Sequence, residues 1–287
     1  MVEGAILKTG KFAGSSMNKT KVLLIAGAAH GGTTITSILL GQHPQLFVTS
    51  KMRGFARGDR FDENNFCSCG ERTVECSFWR EVRERFKSVQ ETRDLDRLTR
   101  LYRILSDVSA RPYVVDVTHN PADVERFLGP TELDFRLLHV YRDLDAVVYS
   151  RLRKDHQIGR VKESGPIRLF RVAKVARHWK QQRQRFLQAE RSLDDRALRV
   201  DYQQLCREPH GILEQVGSFM DVDFSEVCDH LMRGEPLEQP FHLIRGNMKL
   251  RSKLQEQKQI QLRYDDAYLS DMPPIERLLS RVCARLP

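Results

Sequence analysis

The chain has 287 residues, enough to bury a substantial core as one large domain or two small ones. Hydrophobic residues make up 40% of it and charged residues 30%, an ordinary balance for a soluble globular protein. No apolar run reaches the ~18 residues that would predict a membrane-spanning helix. The formal net charge of +9, from 47 Lys and Arg against 38 Asp and Glu, favours an anionic partner.

The N-terminal stretch differs in composition from the rest of the chain. Residues 1–20 hold Gly, Ser, Lys and Thr and lack the apolar segment of a secretory signal. We therefore predict a flexible lead-in over residues 1–20, one domain over residues 21–287, and a cytoplasmic location. A chain trimmed of a Golgi-type N-terminal anchor would have the same sequence, so that alternative stays open.

Short apolar runs alternate with helical patterns along residues 21–287. The apolar runs predict buried strands at Lys21–Ala26, Leu46–Val48, Tyr113–Val117, Phe135–Val140 and Ala197–Val200. Helical spacing predicts helices near 33–40, 79–89, 98–105, 167–191, 210–220 and 275–282, whereas residues 49–77 lack periodicity. Strands that alternate with helices are typical of a parallel sheet covered on both faces. The predicted fold class is therefore α/β, with a central parallel sheet flanked by helices in three layers.

The segment after the first strand has the composition of a phosphate-binding loop. Residues 27–34 read Gly-Ala-Ala-His-Gly-Gly-Thr-Thr and lead directly into a helix. Glycines allow successive backbone N–H groups to face one anion, and the helix N-terminus and two Thr hydroxyls add donors. A tight strand–helix turn without a ligand is the alternative interpretation.

The loop departs from the pattern that binds nucleoside triphosphates. Thr33 follows Gly32 directly, whereas an NTPase loop places a lysine there to contact the terminal phosphates. The sequence also has no strand that ends in the acidic pair needed to hold magnesium. The loop is therefore suited to bind a phosphate but poorly equipped to hydrolyse ATP.

The loop resembles that of the sulfotransferases that use 3′-phosphoadenosine 5′-phosphosulfate (PAPS). In that family it reads roughly Arg/Lys/His-Ser-Gly-Thr-Thr/Ser. Here the positions are taken by His30, Gly31, Gly32, Thr33 and Thr34, with Gly31 in place of the usual Ser. The resemblance implies a P-loop-like fold and a loop that holds the 5′-phosphosulfate. It also implies PAPS as co-substrate, 3′-phosphoadenosine 5′-phosphate (PAP) as product, and no required metal.

A second motif supports the same family independently. Family members carry an Arg after a later strand and a Ser at a fixed spacing inside the following helix, and the two residues clamp the 3′-phosphate. Here the strand at 135–140 leads to Arg142, and Ser150 stands eight positions further on. An Arg at the carboxyl end of a strand is well placed for bidentate phosphate binding. Alone, Arg142 would more often be a surface ion-pair residue.

Weaker similarities extend the resemblance towards the C-terminus. Tyr202 lies in a segment that looks like the family's Tyr-Glu-Asp/Leu region. Residues 242–247 and Arg251 resemble the loop that folds over the adenosine diphosphate portion of the donor. That likeness implies donor contacts from Arg245, Gly246, Asn247 and Arg251.

Two histidines are candidates for the catalytic chemistry, which must stabilise the leaving phosphate and take a proton from the acceptor. His30 occupies a loop position where other members carry Lys or Arg, so a protonated imidazole is predicted to serve there. His119 follows the third strand, as a Thr-His does in other members. It is the predicted base because the Glu that many members carry after the second strand is replaced by Ser50 and Lys51. Asp116 would orient an imidazole or cap the following turn, and the alternative bases are Asp116, Asp59 and Asp62.

The cysteine cluster allows two interpretations. Cys67, Cys69 and Cys76, in a segment similar to a signature of some sulfotransferase branches, suggest zinc. However, no fourth ligand stands at the usual zinc spacing, and the first pair is closely spaced. A local disulfide or buried thiols are therefore favoured, and no metal site is predicted.

Two other classes of protein compete with a sulfotransferase. A P-loop kinase or NTPase would use the same loop, but the missing lysine and the pair Arg142 and Ser150 argue against it. A non-enzymatic basic module would bind nucleic acid or an acidic glycan through the helix at 167–191. The predicted apolar side of that helix holds Phe170, Val175, Trp179 and Phe186, and its Arg- and Lys-rich side lacks interleaved aromatics. We therefore expect PAPS, PAP and an unidentified small acceptor with a hydroxyl or amine as partners, and no nucleic acid.

Overall fold

The structure is a computed structural model that describes residues 19–58, 66–91, 93–160, 165–237, 242–244, 262 and 264–285. The lead-in predicted over residues 1–20 lies almost wholly outside these residues. The division of the chain into that lead-in and one domain over residues 21–287 therefore stays a prediction.

The strands and helices follow the predicted order. The strands are β1 (Lys21–Ala26), β2 (Leu46–Val48), β3 (Tyr113–Thr118), β4 (Asp134–Tyr141) and β5 (Ala197–Asp201). The helices are α1 (Thr33–Leu40), α2 (Met52–Ala56), α3 (Ser77–Lys87), α4 (Asp94–Ser109), α5 (Pro121–Glu125), α6 (Leu144–Gln157), α7 (Pro166–Leu193), α8 (Tyr202–Arg207), α9 (Pro209–Met220), α10 (Ser225–Met232), α11 (Tyr268–Asp271) and α12 (Pro274–Arg285). A 3₁₀ turn over Asp194–Arg196 joins α7 to β5.

The strands form one parallel sheet in the order β2-β3-β1-β4-β5. They are near-continuous apolar runs because helices cover both faces of the sheet. In β1, the side chains of Val22 and Leu24 pack on one face with residues of α3 and α4. Leu23 and Ile25 pack on the other face with residues of α1 and α9. The predicted three-layer α/β fold is confirmed.

The order of the strands determines where a ligand binds. From β1 the chain runs to β2 and β3 on one side and then crosses to β4 and β5 on the other. In open parallel sheets the ligand lies in the crevice at the carboxyl ends of the strands where this order reverses. The segments that follow β1, β3 and β4 all begin at that edge.

Helix α7 packs the predicted apolar side except at Phe170. Phe186 is buried and Val175 is half-buried against residues of α6 and α12, whereas Phe170 is 70% exposed. The packed face also carries Val172 and Ala176, which were not predicted. Small side chains at this face let the neighbouring helices approach closely.

Helix α2 lies in a segment that was predicted to be irregular. It begins after Lys51, whose φ is +60°, and the Met52 N–H donates to the Asp116 carboxylate over 3.2 Å. A helix of five residues that a distant side chain caps has no periodic signal of its own.

Among the described residues, no helix has both the length and the apolar character needed to cross a membrane.

Candidate active site

Residues 27–32 form a tight loop between β1 and α1. The Gly31 N–H donates to the Ala28 carbonyl over 2.8 Å, and Gly32 has a φ of +99°, which favours glycine. A Cβ atom on Gly32 would lie only 2.2 Å from the Tyr202 ring, and one on Gly27 would lie 2.4 Å from a backbone oxygen. The loop therefore approaches its neighbours closely, as a backbone cradle for a phosphate requires.

The N-terminus of α1 completes this loop. Thr33 and Thr34 are the first helical residues, and the first turn carries no acidic side chain that would neutralise its partial positive charge. The backbone N–H groups of that turn lack partners within the helix and are available to an anion. The sequence placed these residues correctly at the start of a helix.

Arg142 links this loop to the segment after β4. Its Nη1 donates to the His30 carbonyl over 2.9 Å, and Nη2 lies 3.4 Å from the Asp265 carbonyl. The guanidinium lies over the rings of Tyr202 and Tyr264, 5.3 and 5.6 Å from their centroids. Its Nε is buried and has no hydrogen-bond partner among the described residues. A buried guanidinium N–H without an acceptor is costly, so this side chain fits a site that receives a phosphate oxygen.

His30 and Ser150 join the loop to α6. The Ser150 Oγ lies 3.1 Å from His30 Nδ1. Burial lowers the pKa of His30 to about 4, and the neighbouring cations Arg151 and Lys154 lower it further in the same sense. These effects favour the neutral ring in the ligand-free protein. A protonated imidazole at this position stays a prediction.

His119 stands just past the carboxyl end of β3, with its ring beside the loop. Its Nδ1–H donates to the Gly27 carbonyl over 3.1 Å, because a carbonyl oxygen can only accept. Burial lowers the pKa of His119 and the charge of Lys51 adds to that effect, although the bond to Gly27 opposes it. In the neutral ring Nε2 carries the lone pair, so this nitrogen is the one able to accept a proton.

Asp116 does not contact His119. Its buried carboxylate accepts hydrogen bonds from the Tyr102 hydroxyl over 2.8 Å and from the N–H groups of Met52 and Val117. Burial nevertheless raises the pKa of Asp116 to about 6. The prediction that it orients an imidazole or caps the following turn is wrong, because it caps α2 and is enclosed in the core.

A cavity of about 250 Å³ opens beside the loop. Ala28 and Ala29 form one side of it, and α7 contributes Trp179 and Gln182 on the other. Gln182 also donates a hydrogen bond to the His119 carbonyl, so the cavity adjoins the predicted base. Further lining comes from basic residues, namely Arg151, Arg171, Lys174 and His178. The cavity can therefore hold a small molecule, and its lining favours an anionic one.

Several predicted site residues lie outside the described part of the chain, and several contacts near the site were not predicted. The predicted donor-binding residues Arg245, Gly246, Asn247 and Arg251 lie outside the described residues, as do the alternative bases Asp59 and Asp62. Tyr264 and Asp265, which contact Arg142, were not predicted because a tyrosine and an aspartate in a polar tail carry no pattern. Gln182 was not predicted either, since its role depends on how α7 lies against β3.

The fold and the loop together define a P-loop-like α/β protein suited to a phosphate-bearing ligand. The sequence model of the sulfotransferase family matches residues 23–226, well over half of the chain. The chain therefore belongs to the sulfotransferase family, and the predicted family and transferase activity are confirmed. The competing interpretations as a kinase or a non-enzymatic basic module are set aside.

Solved sulfotransferases have a similar fold. The sulfotransferase domain from the curacin biosynthetic pathway gives a TM-score of 0.55 at 18% identity, over 93% of this chain and 99% of that one. The sulfotransferase domain of the Synechococcus PCC 7002 olefin synthase gives 0.52 at 18% identity, over 95% and 98%. Mouse sulfotransferase SULT7A1, solved with PAP, gives 0.51 at 10% identity, over 92% and 82%. At these identities the similarity concerns the fold, and no curated protein matches the sequence.

Proposed function

We propose that this sulfotransferase moves the sulfuryl group of PAPS to a hydroxyl or amine of a small, negatively charged acceptor. In this proposal the loop at 27–32 and the N-terminus of α1 bind the 5′-phosphosulfate. Arg142 and Ser150 bind the 3′-phosphate, and Tyr202 packs against the donor site. His119 takes the acceptor's proton.

The observation that carries the donor assignment is the position of Arg142. Its guanidinium is fixed between two tyrosine rings and the His30 carbonyl, yet its buried Nε has no acceptor among the described residues. A site prepared in this way loses little side-chain entropy when a phosphate arrives. Ser150 lies on the next helix and reaches His30, so both members of the predicted clamp border the loop.

The proposed chemistry is an in-line displacement at sulfur. The acceptor oxygen or nitrogen forms a bond to sulfur while the bond from sulfur to the 5′-phosphate oxygen breaks, and PAP leaves with that oxygen. The acceptor's proton passes to His119 Nε2, whose tautomer the Gly27 carbonyl fixes. Backbone N–H groups of the loop and of α1 stabilise the charge that develops on the leaving phosphate.

The cavity beside the loop supports a small anionic acceptor. It lies between the loop and α7, next to the residue that bonds to His119. Arg151 and Arg171 are both paired with the buried Asp155, while Lys174 adds a further positive charge. A cytoplasmic location and the absence of a nucleic-acid partner stay predictions from the sequence.

Calorimetry with PAP and AMP tests the donor assignment. PAP is expected to bind much more tightly than AMP, and Arg142→Ala is expected to weaken PAP binding by ~2–4 kcal/mol because it removes a charged bidentate donor. The loss should nearly vanish with AMP, which has no 3′-phosphate. Arg185→Ala, which removes an exposed Arg paired with Glu125, is the matched control and should leave both affinities unchanged. An equal loss for both ligands would contradict the assignment.

A further inference from the structure

Four potential metal ligands meet at a place that the proposed reaction does not use. Cys67, Cys69 and Cys76 come from one short segment, and His242 follows Cys76 by 166 residues in the chain. Their Sγ and Nδ1 atoms all lie within 4.8 Å of one another. Cys67 and Cys76 are fully buried, whereas Cys69 is exposed.

The distances between these atoms match the edges of a tetrahedral zinc centre. Zn–S bonds of about 2.3 Å and Zn–N bonds of about 2.0–2.1 Å give S–S edges of about 3.8 Å and S–N edges of about 3.6 Å. The Cys69 and Cys76 sulfurs are 3.7 Å apart. His242 Nδ1 lies 3.5 Å from the Cys67 sulfur and 3.3 Å from the Cys76 sulfur. A disulfide would need about 2.05 Å between two sulfurs.

The backbone holds the three cysteines in this arrangement. Phe66 and Arg72 form an antiparallel bridge, and the Cys67 N–H donates to the Glu71 carbonyl over 2.8 Å. The Gly70 N–H donates to the Cys67 carbonyl over 3.0 Å, with Gly70 at a φ of +95°. This tight turn brings the sulfurs of the first pair to one side. Cys76 directly precedes α3, so the start of that helix fixes its position.

His242 is fixed by contacts of its own. Its ring stacks on that of Phe78, with centroids 4.6 Å apart and planes 6° from parallel. The Trp79 indole N–H donates to its carbonyl over 2.8 Å. Next to it, Leu243 and Ser68 exchange two hydrogen bonds of 2.9 and 3.0 Å. The segment that carries His242 is therefore hydrogen-bonded to the segment that carries the cysteines, and these bonds keep the imidazole close to the sulfurs.

We propose that Cys67, Cys69, Cys76 and His242 bind one structural Zn²⁺ ion. Three thiolates and one imidazole at tetrahedral spacing are a donor set that zinc prefers, and four protein ligands leave no open position for a substrate. The ion joins residues 66–76 to the segment at 242–244, which leads into the residues that resemble the donor-covering loop. The sequence prediction of no metal site failed to include His242 because it lies far outside any zinc spacing.

Metal analysis of the full-length protein, purified under reducing conditions and without a histidine tag, tests this site. Inductively coupled plasma mass spectrometry is expected to find one zinc ion per chain. Cys69→Ser is expected to lose most of the zinc. Because the Cys69 side chain is exposed, the substitution itself should leave the chain folded. Cys228→Ala, which removes a buried cysteine in α10, is the matched control and should retain the ion.

Cobalt supplies a second measurement that does not depend on zinc content. Co²⁺ added to the metal-free chain should give the ligand-field bands of a tetrahedral centre and thiolate charge-transfer absorption. Both are expected to weaken in Cys69→Ser and to remain in Cys228→Ala. A wild-type chain that holds no zinc and gives no such spectrum would overturn the proposal. A disulfide between Cys69 and Cys76 in protein isolated without reductant would do the same.

Discussion

His30 and His119 border the same loop but have different surroundings. His30 has cations on several sides and bonds to Ser150, so its ring is suited to donate one N–H to a phosphate. His119 uses its Nδ1–H on a backbone carbonyl and keeps a lone pair on Nε2. The residue type alone does not assign a role to either histidine. The hydrogen-bond partner of each ring distinguishes their two roles.

His119→Asn is expected to lower turnover by ~10²–10⁴-fold, the usual contribution of a positioned general base. The affinity for PAP should be almost unchanged, because the ring is not part of the proposed donor clamp. Steady-state kinetics with a known acceptor and calorimetry with PAP measure the two effects. His210→Asn, at an exposed histidine paired with Glu214, is the control and should behave like the wild type.

The pH profile gives an independent check on the same residue. Because burial lowers the pKa of His119 below the ordinary 6.5, the ring keeps its lone pair at mildly acidic pH. Activity should be lost only as pH falls through that lowered pKa. The acidic limb of kcat/KM for the acceptor is therefore expected below pH 6.5. A limb at or above that value, or near-normal turnover in His119→Asn, would place the base elsewhere.

The sequence predicted the strands better than it predicted the contacts of the helices. The largely apolar run at 135–140 lies within β4, because strands that helices cover on both faces are mostly apolar. Helix α7 was predicted with nearly correct ends, but its buried residues only in part, since Phe186 is buried as predicted while Phe170 is exposed and Ala176 is packed. Periodicity identifies a helix, whereas which of its apolar residues are buried depends on the neighbours that approach it.

Gly32→Ala tests how closely α8 packs against the loop. The added Cβ would lie 2.2 Å from the Tyr202 ring at a φ of +99°, so the loop or the ring has to move. We expect the free energy of unfolding to fall by ~1–3 kcal/mol, with a marked loss of PAP affinity. Gly129→Ala is the control, because no atom lies within 4 Å of the added Cβ and its φ is not positive. Chemical denaturation that finds both variants alike would contradict the close packing.

Glu190 attaches α7 to β4 and β5. Its carboxylate bonds to His139 and to Arg199, whose Nε lies 3.1 Å away. Burial acts to raise the pKa of Glu190, but the hydrogen bonds outweigh it and lower the pKa from 4.5 to about 2. The carboxylate therefore stabilises the fold above pH 4.5, and this contribution is lost as pH falls towards 2.

Glu190→Gln is accordingly expected to lower the free energy of unfolding by ~1–3 kcal/mol at neutral pH. Below pH 4.5 the difference from the wild type should shrink. Denaturation curves at several pH values measure it. Glu125→Gln, which breaks a surface pair with Arg185, should cost ~0–1 kcal/mol. A loss for Glu190→Gln that is constant with pH would mean that packing rather than charge is responsible.

The order of the strands in the sheet brings segments that are distant in sequence to one edge. The loop after β1 and Arg142 after β4 meet because these two strands are neighbours in the sheet. The motif spacing predicted both residues, but periodicity could not show that the strands pair. For the same reason the pairing of His242 with three cysteines, and of Tyr264 with Arg142, became visible only in the folded chain.

An acceptor screen with radiolabelled PAPS and the full-length protein tests whether the chain transfers a sulfuryl group to a small anionic acceptor. The panel should compare small acceptors that carry a carboxylate, sulfate or phosphate with matched neutral compounds, all bearing a hydroxyl or amine. We expect an anionic acceptor to give a sulfated product without added magnesium, with one PAP released per product. Arg142→Ala is expected to lose this product. Failure of every acceptor to take up label, together with magnesium-dependent hydrolysis of ATP, would contradict sulfuryl transfer from PAPS by this chain.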